Sequence, residues 1–498
     1  MPRETKPHTT MVRRTRRPAR RPTGAAASAV AVVAAVGLLA SACSNGDDTA
    51  AGPAGGDATS VPGSSAGPDT TGDGPGSTDG EPAPSIVSGD DVDVVADETG
   101  EPVYAVEGEL PLSEGEIIDV VRFVEAETGR DFDDPPVLVG LGDEEYVDAS
   151  TALLDRQLAA AEEHVDVAAR YYQVMAGSEL GAEELVARVR EAGPVVGTSW
   201  EASYSRSDQV VLVHVEAHDL DLLRADLASE LAVALVDQQI DVDALDADPD
   251  LVLGPGAVPG GGLDEVNHLV RAIVGGFAHN MRFAWEDRTG VSPDAASMVD
   301  DPRTAAVDPA DGRQPFAVEH DLPVPLVWET FLPPIRGQDI VRHNGGLSGA
   351  WTLFDEGLPA NVMVAETGDE EDVAPIDEAA DVEVEPPPGE VIRSGTFGAY
   401  DVLAATAPVG LDDDSQDWTA YWMAAFFWAG GSYVLTGDDA ESCISIGVTT
   451  YEVSNEDLST PEVMHDMFDT WRLRAPTQRT VELDDDTTRA TACAPYAP

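Results

Sequence analysis

From Leu223 to Ile240 the chain runs without Gly or Pro, and leucines recur at 223, 227, 231 and 235. A four-residue apolar repeat fits an α-helix and no strand, whose repeat is two. No other run of the chain keeps such a repeat next to so telling a set of polar residues, Ser229-Glu230 and Asp237-Gln238. The folded part of the chain is therefore expected to be arranged around this helix.

A chain of 498 residues has room for two or three domains, or for one large domain with appendages. It is long enough to bury a sizeable core without covalent staples. The charge balance narrows its role. Eight basic residues and one acid, Glu4, precede Cys43; beyond that point 20 Arg and no Lys stand against 92 Asp and Glu. Such a surface repels nucleic acid and anionic lipid, which excludes a nucleic-acid-binding role, and attracts cations and basic partners. Salt screens it.

The first 42 residues read as a targeting segment. Residues 13–21 are strongly basic, residues 25–39 are apolar, and Leu39-Ala40-Ser41-Ala42-Cys43 resembles a bacterial lipobox. The apolar run is shorter than the roughly 18 residues a membrane span needs, so a lipoprotein signal is expected, starting at Met1 or Met11. Cys43 would be lipidated and hold the protein to the outer side of the cell membrane. The two other cysteines, Cys443 and Cys493, remain to pair in an oxidising compartment. Residues 43–98 are Gly, Pro, Ser, Thr, Asp and Ala with few large apolar side chains, as in a disordered acidic tether.

The rest, residues 99–498, reads as one α+β domain. Residues 114–128 have helical spacing and end at Gly129. A short strand is expected at 137–140, mostly helix at 146–175, a helix at 181–191, and strands at 195–200 and 209–215. An acidic Gly/Pro-rich loop at 241–262 lacks the ligand spacing of an EF-hand. A second long helix is expected at 263–285, a mobile acidic insertion at 366–390 and a helix at 394–405. Hairpin strands at 433–436 and 442–449 turn at Gly437-Asp438, and a last helix spans 461–471. The aromatic cluster Trp418, Tyr421, Trp422, Phe426, Phe427 and Trp428 fits either core or the wall of a peptide or carbohydrate groove.

The central helix also carries a resemblance. Its Leu223–Ile240 stretch, with Ser229-Glu230-Leu231-Ala232-Val233 and a trailing Asp237-Gln238, is similar to the Leu-Ala-His-Glu-Leu-Thr-His-Ala-Leu-Gln-Asp-Gln helix of a family of HExxH-type, zincin-like metallopeptidase homologues from actinobacteria and related bacteria. In an HExxH helix the two imidazoles hold zinc on one face, and the Glu activates the metal-bound water. The family's third ligand, a Glu on a later helix, matches Gly275 in Arg271-Ala-Ile-Val-Gly275-Gly276. The resemblance therefore implies a zincin-like domain with a former metal-binding helix, a small sheet and a C-terminal α/β portion. It implies a chain whose ligand positions are Ser229, Val233 and Gly275, whose zinc is lost, and whose Glu230 is vestigial. Such a pseudopeptidase would bind a peptide, a protein or a cell-wall component without cleaving it.

Two other functions compete with it. An active hydrolase could hold a metal at a relocated site built from His214, His218, His268 and His279, in which case these histidines converge. A purely structural envelope protein would use neither cleft nor metal. Ser229 is no candidate nucleophile, because no His lies three or four residues from it on the helix. Phosphate-cradling glycine loops and CxxC pairs are absent.

Overall fold

The computed structural model describes the chain from residue 92 onward, except for stretches within 161–164, 198–200, 242–264, 291–336, 356–381, 407–424, 452–458 and 475–477 and positions 218 and 485. The signal segment, Cys43, most of the tether, most of the 241–262 loop, His218, Trp418, Tyr421, Trp422 and most of the 366–390 insertion lie outside the described residues. What is described is an α+β fold with two five-stranded sheets.

The first sheet contains β1 (Asp93–Ala96), β2 (Pro102–Glu107), β3 (Val137–Leu141), β4 (Ala202–Ser205) and β5 (Val210–His214), in the order β1-β2-β3-β5-β4. β2, β3 and β5 run parallel, with antiparallel strands at each edge. Helix α1 (Glu114–Thr128) makes the crossover from β2 to β3 and buries Ile117, Val120, Val121 and Val124. Gly129 ends it at φ 71°, donating its N–H to Glu125 O; a side chain there would oppose that left-handed backbone. Helices α2 (Asp143–Ala160), α3 (Val165–Ala176) and α4 (Ala182–Gly197) follow β3. α2 covers the other face of the sheet, where Tyr146 and Leu153 pack on Val139, Val210 and Leu212.

The predicted central helix is α5 (Leu220–Gln239). Asp219 caps it by accepting from the backbone N–H groups of Asp221 and Leu222. All four leucines of the repeat are at most 1% exposed, and Ala225, Ala228, Ala232 and Val236 are buried between them. Burying each leucine contributes about 1.5–3 kcal/mol. α5 packs on α1, on β4 and β5, and above all on α6 (Glu265–Thr289). It is thus an interior helix, packed on several sides by its leucines and alanines.

The second sheet is antiparallel throughout. It contains β6 (Glu390–Thr396), β7 (Trp428–Gly437), β8 (Glu441–Thr450), β9 (Gln478–Asp484) and β10 (Thr487–Pro495) in the order β6-β7-β8-β10-β9, with helices α7 (Ala399–Thr406) and α8 (Thr460–Arg474) between strands. Ile444, Ile446, Val448, Ala490, Ala492 and Ala494 alternate inward, toward α3 and α8. Cys443 stands directly opposite Cys493, and a disulfide joins them at a Cα–Cα distance of 4.1 Å. α3 packs against the second sheet. Arg479 of β9 donates to Val174 O at 3.0 Å and Met175 O at 2.7 Å, placing a cation at the negative end of α3. One apolar cluster runs from Val103 and Leu138 through α5 and α6 to Ile444 and Phe468.

Several local expectations change. The strand expected at 195–200 is helix as far as Gly197, and the strand pairing with β5 is β4. Val195 and Val196 favour strand intrinsically, but the helix that buries Leu185 and Val189 runs on through them. The helix expected at 394–405 begins only at Ala399, because residues 390–396 pair with β7 instead. Ordered structure also starts earlier than expected: β1 lies inside the stretch assigned to the tether. At the end of the expected mobile insertion, Val382 is buried against Gly447. No described helix is long and apolar enough to cross a membrane.

Candidate functional site

Three carboxylates, Asp226, Glu230 and Asp237, interrupt α5 at helical spacing and lie along β4, the edge strand of the first sheet. An edge strand leaves outward N–H groups to be satisfied. Asp226 accepts from Glu201 N at 3.1 Å, just before β4, and Glu230 accepts from Tyr204 N at 2.8 Å. Asp237 accepts from the Tyr204 hydroxyl and from Arg206 Nε at 3.3 Å. The helix therefore supplies the acceptors that a sixth strand would otherwise provide.

The charges on this seam are managed individually. Asp226 is 1% exposed and pairs with Arg282 of α6 at 2.9 Å. Arg282 reaches Glu286, one turn on, at 3.2 Å. No cation pairs with Glu230 among the described residues. Burial raises its pKa to about 7; the Tyr204 N–H works against that shift and the Asp226 charge adds to it. The residue as a whole is half-buried.

At the neighbouring strand end, His214 is held between two carboxylates, Nδ1 2.7 Å from Glu201 and Nε2 2.5 Å from Asp143. Burial pulls its pKa down, but the two carboxylates together raise it further, so the net shift is upward and favours the imidazolium. The ring of Tyr146 lies over this histidine with centroids 5.2 Å apart. The buried Tyr146 hydroxyl has no hydrogen-bond partner among the described residues. Its ionisation is pushed well upward by burial and by the charges of Glu230, Asp226 and Glu201, so it stays a neutral phenol.

The structure places the residues singled out in the sequence as follows. Ser229 is buried on α5, Val233 packs half-buried against the core, and Gly275 is half-buried on α6, the helix against which α5 packs. Beside it, Gly276 approaches the backbone of Gly337 so closely that an added Cβ would lie 2.2 Å from the Gly337 carbonyl oxygen. The histidines proposed for a relocated metal site have separate surroundings. His214 has both ring nitrogens engaged by carboxylates. His268 is fully buried edge-to-face against Tyr400, with burial and the nearby Arg271 lowering its pKa to about 3. His279, further along α6, is lowered to about 4 by its enclosure and by Arg282. None of these three belongs to a potential metal-ligating triplet among the described residues. The one such triplet is Glu441, Cys443 and Cys493, and its two sulfurs are already joined to each other. In the aromatic cluster, Trp428 is wholly buried, with its indole N–H on Phe397 O, which makes it core.

Sequence reasoning found Glu230 but missed Asp226, Arg282, Glu201, Asp143 and Tyr146. The signal for the first was present: Asp226 and Glu230, four apart, are polar breaks in an otherwise apolar helix. The others come from distant segments, and only the fold brings them together. No family model matches the chain, and neither does any curated protein or solved structure.

Proposed function

We propose that the protein is an exported pseudopeptidase, anchored to the cell membrane through lipid at Cys43, that binds a peptide, protein or cell-wall ligand without hydrolysing it. In this reading residues 99–498 form a zincin-like scaffold, and α5 is the helix that once held zinc. The observation that carries it is local: Glu230 stands on that helix where the general base of an HExxH motif stands, flanked by Ser229 and Val233, which offer no imidazole. The carboxylate's engagement supports the same reading, because Glu230 accepts from the edge-strand Tyr204 N–H, a structural task. Without a metal-bound water of lowered pKa, such a group has nothing to activate.

The test is metal content. The protein is dialysed against zinc and calcium, and bound metal is quantified by mass spectrometry. The expected result is no stoichiometric metal in the native chain and one zinc in the triple variant Ser229→His, Val233→His, Gly275→Glu. One zinc in the native chain, or a folded triple variant that takes up none, overturns the reading. The anchor is checked by Cys43→Ser, which should release the protein from the membrane fraction.

A further inference from the structure

The second sheet turns one face inward, and its other face forms the floor of a groove of about 830 Å³. Ser445, Thr491 and Thr480 lie side by side across three neighbouring strands on that floor. The segment 383–388, Glu-Val-Glu-Pro-Pro-Pro, crosses the sheet and forms a wall. It is seated there by Val382 and Val384, which pack over Gly447, where an added Cβ would lie 2.6 Å from the Val382 side chain. Arg489 donates to Glu383 O at 2.5 Å and fixes the wall to the sheet.

The groove's inventory of donors and acceptors is one-sided. Three successive prolines give the wall carbonyl oxygens and no N–H. Glu383 and Glu385 on the wall, and Glu482 and Asp484 on β9, are exposed carboxylates that only accept. Among the described residues Arg489 is the one cationic side chain that lines the groove, and it is engaged by the wall. The hydroxyl floor can donate weakly or accept. A ligand complementary to this site is extended, rich in N–H donors and positively charged. The volume is in the range of a site for a short segment of chain.

We propose that this groove binds an extended basic peptide, with arginine or lysine side chains paired to Glu385, Glu482 and Asp484 and the peptide backbone lying over the hydroxyl floor. The site is on the opposite sheet from α5 and stands or falls independently of the pseudopeptidase reading.

The experiment must separate a built site from the general attraction of a chain with net charge −65. A fluorescent penta-arginine peptide is titrated against the full-length protein by anisotropy, with a penta-glutamine peptide alongside. The expected result is saturable one-to-one binding of the arginine peptide only, weakening as salt rises. The groove variant Glu385→Gln, Glu482→Gln, Asp484→Asn should weaken it at least tenfold. A control with the same loss of charge on another exposed surface, Glu127→Gln, Asp131→Asn, Asp134→Asn, should change it less than twofold. Thr480→Trp, which fills the floor without altering charge, should also weaken it at least tenfold. Equal weakening in groove and control variants, full binding by Thr480→Trp, or no saturable binding overturns the proposal. All substituted side chains are exposed, and thermal unfolding of each variant confirms that it folds.

Discussion

The seam between α5 and β4 and the outer face of the second sheet are both rich in carboxylates, and the molecule treats them differently. On the seam nearly every acid is used. Asp226 has a guanidinium and a backbone N–H, Glu230 has an N–H, and Asp237 has a phenol and an arginine. On the outer face, Glu385, Glu482 and Asp484 point into open space beside a wall of prolines. Buried charge is tolerated only when paired and hydrogen-bonded, so the seam is an assembly whose parts depend on one another. Exposed charge is solvated and can be spent on a partner. The seam therefore belongs to stability and the groove to recognition, although sequence alone draws attention to the seam.

The largest expected effect comes from unbalancing the seam. Arg282→Met leaves Asp226 buried and without its cation and should cost roughly 3–5 kcal/mol, read as a lower urea midpoint. Arg282→Met combined with Asp226→Asn should recover a substantial part of that loss. If the double variant is as weak as the single one, the arginine acts through its packing and not through the charge. The second sheet breaks differently. Its disulfide closes a span of 50 residues, and Cys443→Ser with Cys493→Ser should cost up to about 4 kcal/mol by freeing the unfolded chain. That loss should appear whether or not α5 is intact, and a strong coupling between the two variants would mean that the sheets unfold as one unit.

How much of this was legible follows from the range of the signals. α1 was readable to the residue because its apolar stripe and its Gly129 stop are local. α5 was readable because its leucines recur every four residues with no Gly or Pro between them. The hairpin of β7 and β8 was announced by Gly437-Asp438, but β9 and β10 were not foreseen. Their inward residues are mostly small, Ala490, Ala492 and Ala494, and alternate with threonine and arginine, which blurs the apolar–polar pattern of a strand. The disulfide followed from counting cysteines, whereas the groove depends on a proline segment crossing a sheet that is assembled from strands after it in sequence. Glu230 stood out in the sequence through its neighbours, but its acceptance from Tyr204 N became visible only with β4 in place.

That hydrogen bond leads to the smallest and most diagnostic prediction. A carboxyl whose folded pKa is raised from 4.5 to about 7 holds its proton more tightly in the native state than in the unfolded one. Stability should therefore be highest on the acid side and fall as pH rises from about 4.5 through 7, where the native carboxyl must ionise. His214 adds to the same slope: its raised pKa contributes stability that is complete below 6.5 and lost as pH passes its folded value. Glu230→Gln keeps an oxygen for Tyr204 N–H and removes the titration. It should gain about 2 kcal/mol at pH 8, allowing for the residue's partial contact with water, and nothing near pH 4.5. Urea unfolding at the two pH values measures this directly. A gain of equal size at both would assign the effect to packing, and no gain at pH 8 would mean that solvent or a bound cation satisfies the Glu230 carboxylate, turning the seam from a clamp into a site.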